Sequence, residues 1–597
     1  MKTLKYNILT SLLPLITLLL AGCEDSFLKE SPYNKITPGD YYSTPAGIKS
    51  GINGLYGRLR YFYTSEAVVN MCENNTDMFV PPMSTGYLKI DPNTGFVRDF
   101  WNVCYVNINQ CNTVIEALEN NPIQGLSDSL RCRYLGEARF IRAHFYDHLV
   151  KQFGDVPMPL KPSAGIVTTS GRIASDSVWA QVIADLRYSV SHLPAGYLPA
   201  EYGRITRYAA MQNLAKVLLT VYRNDNKSLQ LARNYADSII NSGNYSLASL
   251  SDLWDITKQR TPDVLREVIF PVLYSKDVIM NGDGNKAHLF FVCAYSEQHP
   301  GVIRSVEYGR GWDRLKPSKY AYRMFLNPAF DVGSKGKLLD NRGIAWFQTE
   351  WNINREAGYV YSSVLYDPIL NVDRVVYQST GSPAMMAPYW NFTPADCKAV
   401  WPVWVFLPDS MKAVVGNNIQ SITNPYAAWP SNVKFYNHLM FPYINKYLDP
   451  TRPDVNYEAG SKDVFVYRLA ETYLIAAEAS FLLGDIDAAR GYLNIVRKRA
   501  ERDDPDEPEM IDQMIIKKNQ VTAEFILDER GRELIGELNR WYDLKRFGKL
   551  EERMKWPNLY YDNPVTWYNY WLRPIPREQL LRITNPEDFP QNPGYSN

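Results

Sequence analysis

Tyr467-Arg468-Leu469-Ala470-Glu471-Thr472-Tyr473-Leu474-Ile475-Ala476-Ala477-Glu478-Ala479, then Gly484-Asp485, then Leu493-Asn494-Ile495-Val496-Arg497-Lys498-Arg499-Ala500, is the stretch that decides the fold class. Straight-chain and alanine helix formers dominate both runs, and the Gly-Asp pair between them is a turn signal. The pattern predicts a helix over Val464 to Leu483, a turn, and a second helix over Ile486 to Ala500. Toward the C-terminus it predicts one long helix over about Val521 to Phe547 and a proline-rich tail, Asn569 to Tyr595, packed as an extended strap. Toward the N-terminus, Tyr134, Ala138, Ile141, Phe145 and Leu149 recur every three or four residues, a helix with one apolar stripe that stops at Phe153-Gly154-Asp155. Val178 to Leu193, Tyr208 to Tyr222 and Leu229 to Ile240 follow as helices joined by polar turns. Three consecutive antiparallel helices suggest repeats like tetratricopeptide units.

Between these helical ends the character differs. From about 246 to 450, prolines, glycines and isolated aromatics with little sustained period read as long loops and short strands laid over a helical scaffold. The chain therefore divides into residues 1–22, an N-terminal helical region 23–245, a loop-rich aromatic region 246–450 and a C-terminal helical region 451–597.

The 597 residues are 46% hydrophobic and 21% charged, ordinary globular values that exclude a disordered chain, a collagen and a multi-span membrane protein. Sixty-four Lys+Arg balance 64 Asp+Glu, so charge provides no attraction to nucleic acid. The 42 Tyr, 23 Phe and 14 Trp are more than a core needs, and the amphipathic Tyr and Trp hint at a binding surface. Lys2 and Lys5 precede an apolar run, Ile8 to Leu20, too short to span a bilayer, which takes about 20 residues. The run ends in Leu19-Leu20-Ala21-Gly22-Cys23, the form of a bacterial lipobox with Cys23 as the lipidation site; the alternative is a simple secreted protein with a chance cysteine. The six later cysteines are too scattered for a disulfide framework or a zinc site.

A search for chemistry ends in structural readings. His144 and His148 lie one turn apart with an acid between them, but no third metal ligand is signalled, and a satisfied polar flank is the better account. Glu533 and Glu537 have a spacing a glycosidase could use, yet they share a stretch with Glu529, Arg530, Arg532, Arg540, Asp543 and Arg546, the pattern of an ion-pair network. Neither a cofactor nor a metal is implied, and no catalytic constellation stands out.

A series of motifs carries a family resemblance. In chain order they are the lipobox, Glu137-Ala138-Arg139-Phe140-Ile141-Arg142-Ala143 with Tyr146, Phe153-Gly154-Asp155-Val156-Pro157, and the two runs quoted first. Glu529-Arg530 with Glu533-Leu534, Arg540-Trp541-Tyr542-Asp543-Leu544-Lys545-Arg546, Pro574-Ile575-Pro576 and Gln591-Asn592-Pro593-Gly594-Tyr595 complete it. The series resembles SusD-like (RagB/SusD) outer-membrane lipoproteins over nearly the whole chain; Asn539 departs from it, standing where the family often has glycine. The resemblance implies a mainly α fold of tetratricopeptide-like helix pairs supporting a variable, loop-rich ligand surface. It also implies lipid anchoring at Cys23 on the outer face of the outer membrane, with Glu24 and Asp25 as an acidic export signal. The implied function is capture of oligosaccharide or another nutrient and delivery to a SusC-like TonB-dependent transporter, without catalysis.

A pyranose ring needs flat aromatic platforms with a few polar groups beside them. Two stretches in regions comparable to the family's binding surface supply both. One runs from Asn74 and Asp77 through Tyr87 and Arg98 to Trp101, where a helical stretch makes burial an equal reading. The other holds Tyr308, Trp312, Trp346, Trp351, Tyr389 and Trp390, with Trp312, Trp346 and Trp390 the leading platforms. The alternative function is a surface-attached glycoside hydrolase, which would need a cleft with two carboxylates, one of raised pKa; a purely structural scaffold would not need the aromatics of the middle region.

Overall fold

In a computed structural model, residues 38–81, 90–120, 122–223, 225–325, 339–367, 372–387, 404–407, 433–435, 439–502, 512–555 and 571–596 are described. Helices α1 (Pro45–Tyr63), α2 (Glu66–Cys72), α3 (Gly95–Asn120), α4 (Asp128–Phe153), α5 (Ser175–His192), α6 (Arg207–Val221) and α7 (Asn226–Ile240) form the first part. Helices α8 (Leu469–Leu482), α9 (Ile486–Ala500), α10 (Ala523–Glu533) and α11 (Arg540–Arg546) form the last. Each of α3 to α6 packs against the helix that follows it, and α8 packs on both α7 and α9, so the helical stack continues past the long intervening stretch of chain.

Local chemistry sets the helix ends. Ser127, Thr206, Asp485 and Thr522 accept backbone N–H bonds at the first turns of α4, α6, α9 and α10, replacing partners the helix cannot supply. Gly154 ends α4 with φ 73°. α4 differs from the single apolar stripe that its periodicity predicts. From Tyr134 to Val150 every residue except Arg139 is buried, because α3, α5, α1 and the C-terminal tail enclose the helix. The charged residues of its motif are therefore structural. Arg142 donates two 2.8 Å bonds to Asp185 of α5 and one of 3.0 Å to Asn112, and Glu137 accepts from Arg133, Arg204 and Tyr56.

The predicted helix over Val521 to Phe547 is two helices. After Glu533 the chain turns through Gly536 (φ 75°) and Leu538 (φ 60°) before α11 begins. Side chains satisfy the groups freed by the break. Arg468 and Lys446 donate to the Glu533 carbonyl at 2.6 and 3.1 Å, Tyr447 to that of Gly536 at 2.8 Å, and Glu73 accepts from the Asn539 N–H at 3.1 Å. The helix over Pro45–Tyr63 lies outside what the sequence pattern predicts.

In the middle region short strands pair across long connections. Val268–Val272 lies antiparallel to Val464–Arg468 directly before α8, and Phe347–Gln348 pairs with Tyr443–Ile444. A core of its own, rich in aromatics, fills this region. The described part of the tail, 571–596, clasps the end of α4 as a strap: the Arg573 N–H donates to the Gln152 carbonyl at 2.7 Å and the Asn592 amide to that of Phe153 at 2.9 Å. Within that strap Arg577–Arg582 forms a short helix where an extended chain is expected.

Candidate functional site

Glu529 and Glu533 of α10 lie at the centre of a buried ion network. Arg342 contacts Asp340, Glu529 and Glu533 at 2.6, 2.8 and 2.9 Å, and Arg468 contacts Glu267, Glu533 and Glu537 at 3.1, 2.5 and 2.8 Å. Arg497, Arg499, Arg532 and Lys446 complete it. Although burial alone would raise their pKa values, the guanidinium groups hold Glu529 down at about 2 and Glu533 well below the usual carboxylate range. A glycosidase acid needs the opposite shift. Glu73 does have a raised carboxyl, at about 8, but burial causes it, and that side chain is enclosed and bonded to the backbone before α11.

The paired histidines are likewise committed to the core. His144 Nε2 lies 3.1 Å from the Tyr63 hydroxyl and His148 Nδ1 2.7 Å from that of Tyr542, and burial lowers both pKa values.

The candidate ligand residues separate sharply. Asp77 is wholly buried and takes a two-pronged contact from Arg540 at 2.7 and 2.6 Å, while Asn74 is buried in the preceding turn, bonded to Asn70 at 2.8 Å. Trp101 packs inside α3 against Phe153, with ring centroids 4.9 Å apart. Trp346 is 0% exposed, with the Lys446 ammonium 3.7 Å from its ring centroid, and forms part of the wall of the ion network. Trp351 is also fully buried, and Tyr308 nearly so. None of these presents a face to a ligand: Trp101 belongs to the helical core, and the second core absorbs Tyr308, Trp346 and Trp351, which the sequence places in a loop-rich region. Arg98 is exposed and engaged at the surface with Asp99 at 2.9 Å. Tyr87, Tyr389 and Trp390 lie outside the described residues.

Trp312 remains. It is partly exposed at the edge of the second core, 5.9 Å from the Phe290 ring, and its backbone N–H bonds to the Leu289 carbonyl at 2.9 Å. Arg314 stands over the indole at 5.8 Å, donates to the Trp312 carbonyl at 3.1 Å and pairs with Glu66 of α2 at 2.8 Å. Between them Asp313 adopts φ 55°, a left-handed backbone that Asp tolerates better than most residues. Burial pushes its carboxyl up to about 7, against the pull of Lys316 and Arg314, and its Oδ1 makes no hydrogen bond among the described residues. An aromatic face beside a carboxyl and a guanidinium is suited to a ligand with both apolar and hydroxylated surfaces. Sequence reasoning reaches Trp312 but not Asp313 or Arg314, because positive φ and burial of a carboxyl leave no residue pattern of their own.

Fold and site together define a helical-repeat protein with a loop-built face. Comparison with known proteins gives the class. The SusD family model matches residues 266–595, and a second model, described as starch-binding associating with outer membrane, matches residues 26–219. The chain belongs to the SusD family. A SusD-like protein of Formosa agariphila is 26% identical over 605 residues, covering 96% of this chain and 97% of the relative. A SusD homolog from Bacteroides thetaiotaomicron has a similar structure, with TM-score 0.64, 17% identity and coverage of 94% of this chain and 98% of that one. Surface glycan-binding protein A of the same organism, solved in complex with laminarihexaose, aligns with TM-score 0.58 and 18% identity over 92% of this chain and 99% of its own. Among the described residues no helix is long and apolar enough to cross a membrane.

Proposed function

We propose that this chain is a cell-surface lipoprotein that binds a glycan without transforming it, held on the outer membrane by a lipid on Cys23 and facing outward. Captured oligosaccharide passes to a SusC-like TonB-dependent transporter. The observation that carries this reading is Trp312, a partly exposed indole flanked by Asp313 and Arg314 on the loop-rich face. Support comes from the family, from the starch-binding description of the second matching model and from the laminarihexaose complex of a structural neighbour. Tyr87 and Trp390 remain proposed ligand residues. Binding without hydrolysis is favoured because the clustered carboxylates of α10 are held ionised inside the ion network.

The test is paired titration and melting of single variants with β-glucan and α-glucan oligosaccharides. Trp312→Ala is expected to weaken binding by about tenfold to a hundredfold, the equivalent of about 1–3 kcal/mol for a stacked planar ring, with little change in Tm. Trp346→Ala is expected to behave oppositely, costing about 3–5 kcal/mol of folding stability as a cavity opens in the core. Wild-type glycan affinity in Trp312→Ala would remove this surface as the site.

A further inference from the structure

A cavity of about 370 Å³ lies between α4, α6 and the chain around α11, with Trp312 outside its lining. Its lining includes the partly exposed Trp179 and Trp571 and the tyrosines Tyr63, Tyr467 and Tyr542. The volume falls at the lower end of ordinary ligand pockets, about 300–1,000 Å³.

The charge turned toward this space is positive. Lys151 pairs with Asp147 at 2.7 Å, Lys216 with Glu471 at 2.7 Å, and Arg546 with Glu478 and, at 2.9 Å, with Asp543. In every pair the base is the more exposed partner: 10% against 7%, 18% against 2%, and 12% against 4% and 5%. Five basic side chains line the space against three acids, Asp147, Glu537 and Asp543. Lys545 has no carboxylate partner among the described residues; its ammonium donates to the Lys151 carbonyl and lies 5.0 Å from the Trp541 ring centroid. Burial, followed by repulsion from Arg573 and Lys151, lowers its pKa to about 7. A buried ammonium among like charges is unfavourable until an anion reaches it.

We propose that this cavity binds a small carboxylated sugar of the uronic acid class, its carboxylate held at Lys545 and the neighbouring cations and its ring set against the tyrosine walls. The choice of a sugar rests on the glycan-binding reading above. The preference for an anion rests on the lining alone.

The full mature chain is titrated with glucuronate, glucose and inorganic phosphate, read by calorimetry and by tryptophan fluorescence. Saturable glucuronate binding is expected, with glucose weaker by about tenfold or more for want of the charge-assisted contact. Lys545→Met should lower glucuronate affinity by about tenfold or more without lowering Tm, whereas the charge-keeping Lys545→Arg should retain it. Trp312→Ala should leave glucuronate binding unchanged. The proposal is overturned if glucuronate does not saturate, if Lys545→Met binds it as wild type, or if phosphate displaces it with equal affinity. Failure of glucuronate with neutral-glycan binding intact overturns the cavity site alone. Loss of neutral-glycan binding in every form, with glucuronate retained, supports the cavity and overturns the surface reading.

Discussion

Trp312, Trp346 and Trp351 share a residue type and a loop-rich neighbourhood, yet only the first keeps a face toward solvent. The difference comes from what covers them. Lys446 and the ion network close over Trp346, and Tyr295 and Tyr443 flank Trp351, whereas Trp312 lies at the rim of that core. Its neighbour Asp313 has a pH signature. Because burial raises its carboxyl from 3.8 to about 7, the folded chain keeps a proton between those values that the unfolded chain has released. Stability contributed at this position therefore falls as pH rises through that window. Asp313→Asn, which removes the ionisation and still tolerates a left-handed backbone, should flatten this part of the Tm profile between about pH 4 and 7. Identical slopes in variant and wild type would show that the carboxyl does not titrate there.

At the scale of elements, the break between α10 and α11 shows how side chains overrule helical pattern. Val521 to Phe547 is rich in helix formers, but Arg468, Lys446, Tyr447 and Glu73 bind the backbone groups that a continuous helix would have paired internally. Gly536 makes the turn possible at φ 75°, where an added Cβ would lie 2.4 Å from Ile444 Cδ1. Gly536→Ala should therefore cost about 1–2 kcal/mol for the left-handed backbone and about 1–3 kcal/mol for overpacking, seen as a lower urea midpoint. A midpoint unchanged from wild type would mean that the turn relaxes freely. Asn539, where the family often has glycine, is no obstacle: the left-handed residue is Leu538, and Asn539 instead accepts from Lys216 at 3.0 Å.

Across the whole molecule, the ion network joins segments far apart in sequence, with Glu267, Arg342, Arg468, Arg499 and Glu533 in one cluster. Glu529 and Asp543, both near pKa 2, contribute stability that is fully present above the ordinary carboxylate range and is lost as pH falls toward 2. Their part of the unfolding midpoint should drop steeply from about pH 4 toward pH 2, with little help or harm from added salt because buried pairs are poorly screened. A profile flat to pH 2 would contradict the depressed values. For attachment, Cys23→Ala should move the protein from the membrane to the soluble fraction, since two or more acyl chains make a stable anchor and the near-neutral charge offers no substitute. Retention in the outer-membrane fraction of cells lacking the transporter would refute the lipid anchor.

The sequence by itself determined the helical class, most helix positions and the family, because apolar periodicity, caps and an ordered series of motifs are local properties of the chain. The alternating charges of Glu529 to Arg546 also identify an ion network before any coordinates do. Tertiary structure alone decided which of Trp312, Trp346 and Trp351 is open, why the last long helix breaks, and where a cation-lined cavity forms. Exposure, backbone satisfaction and enclosed volume each depend on segments far apart in the chain. Sequence reading puts Asp77 on a ligand surface because Arg540, the partner that buries it, lies far along the chain.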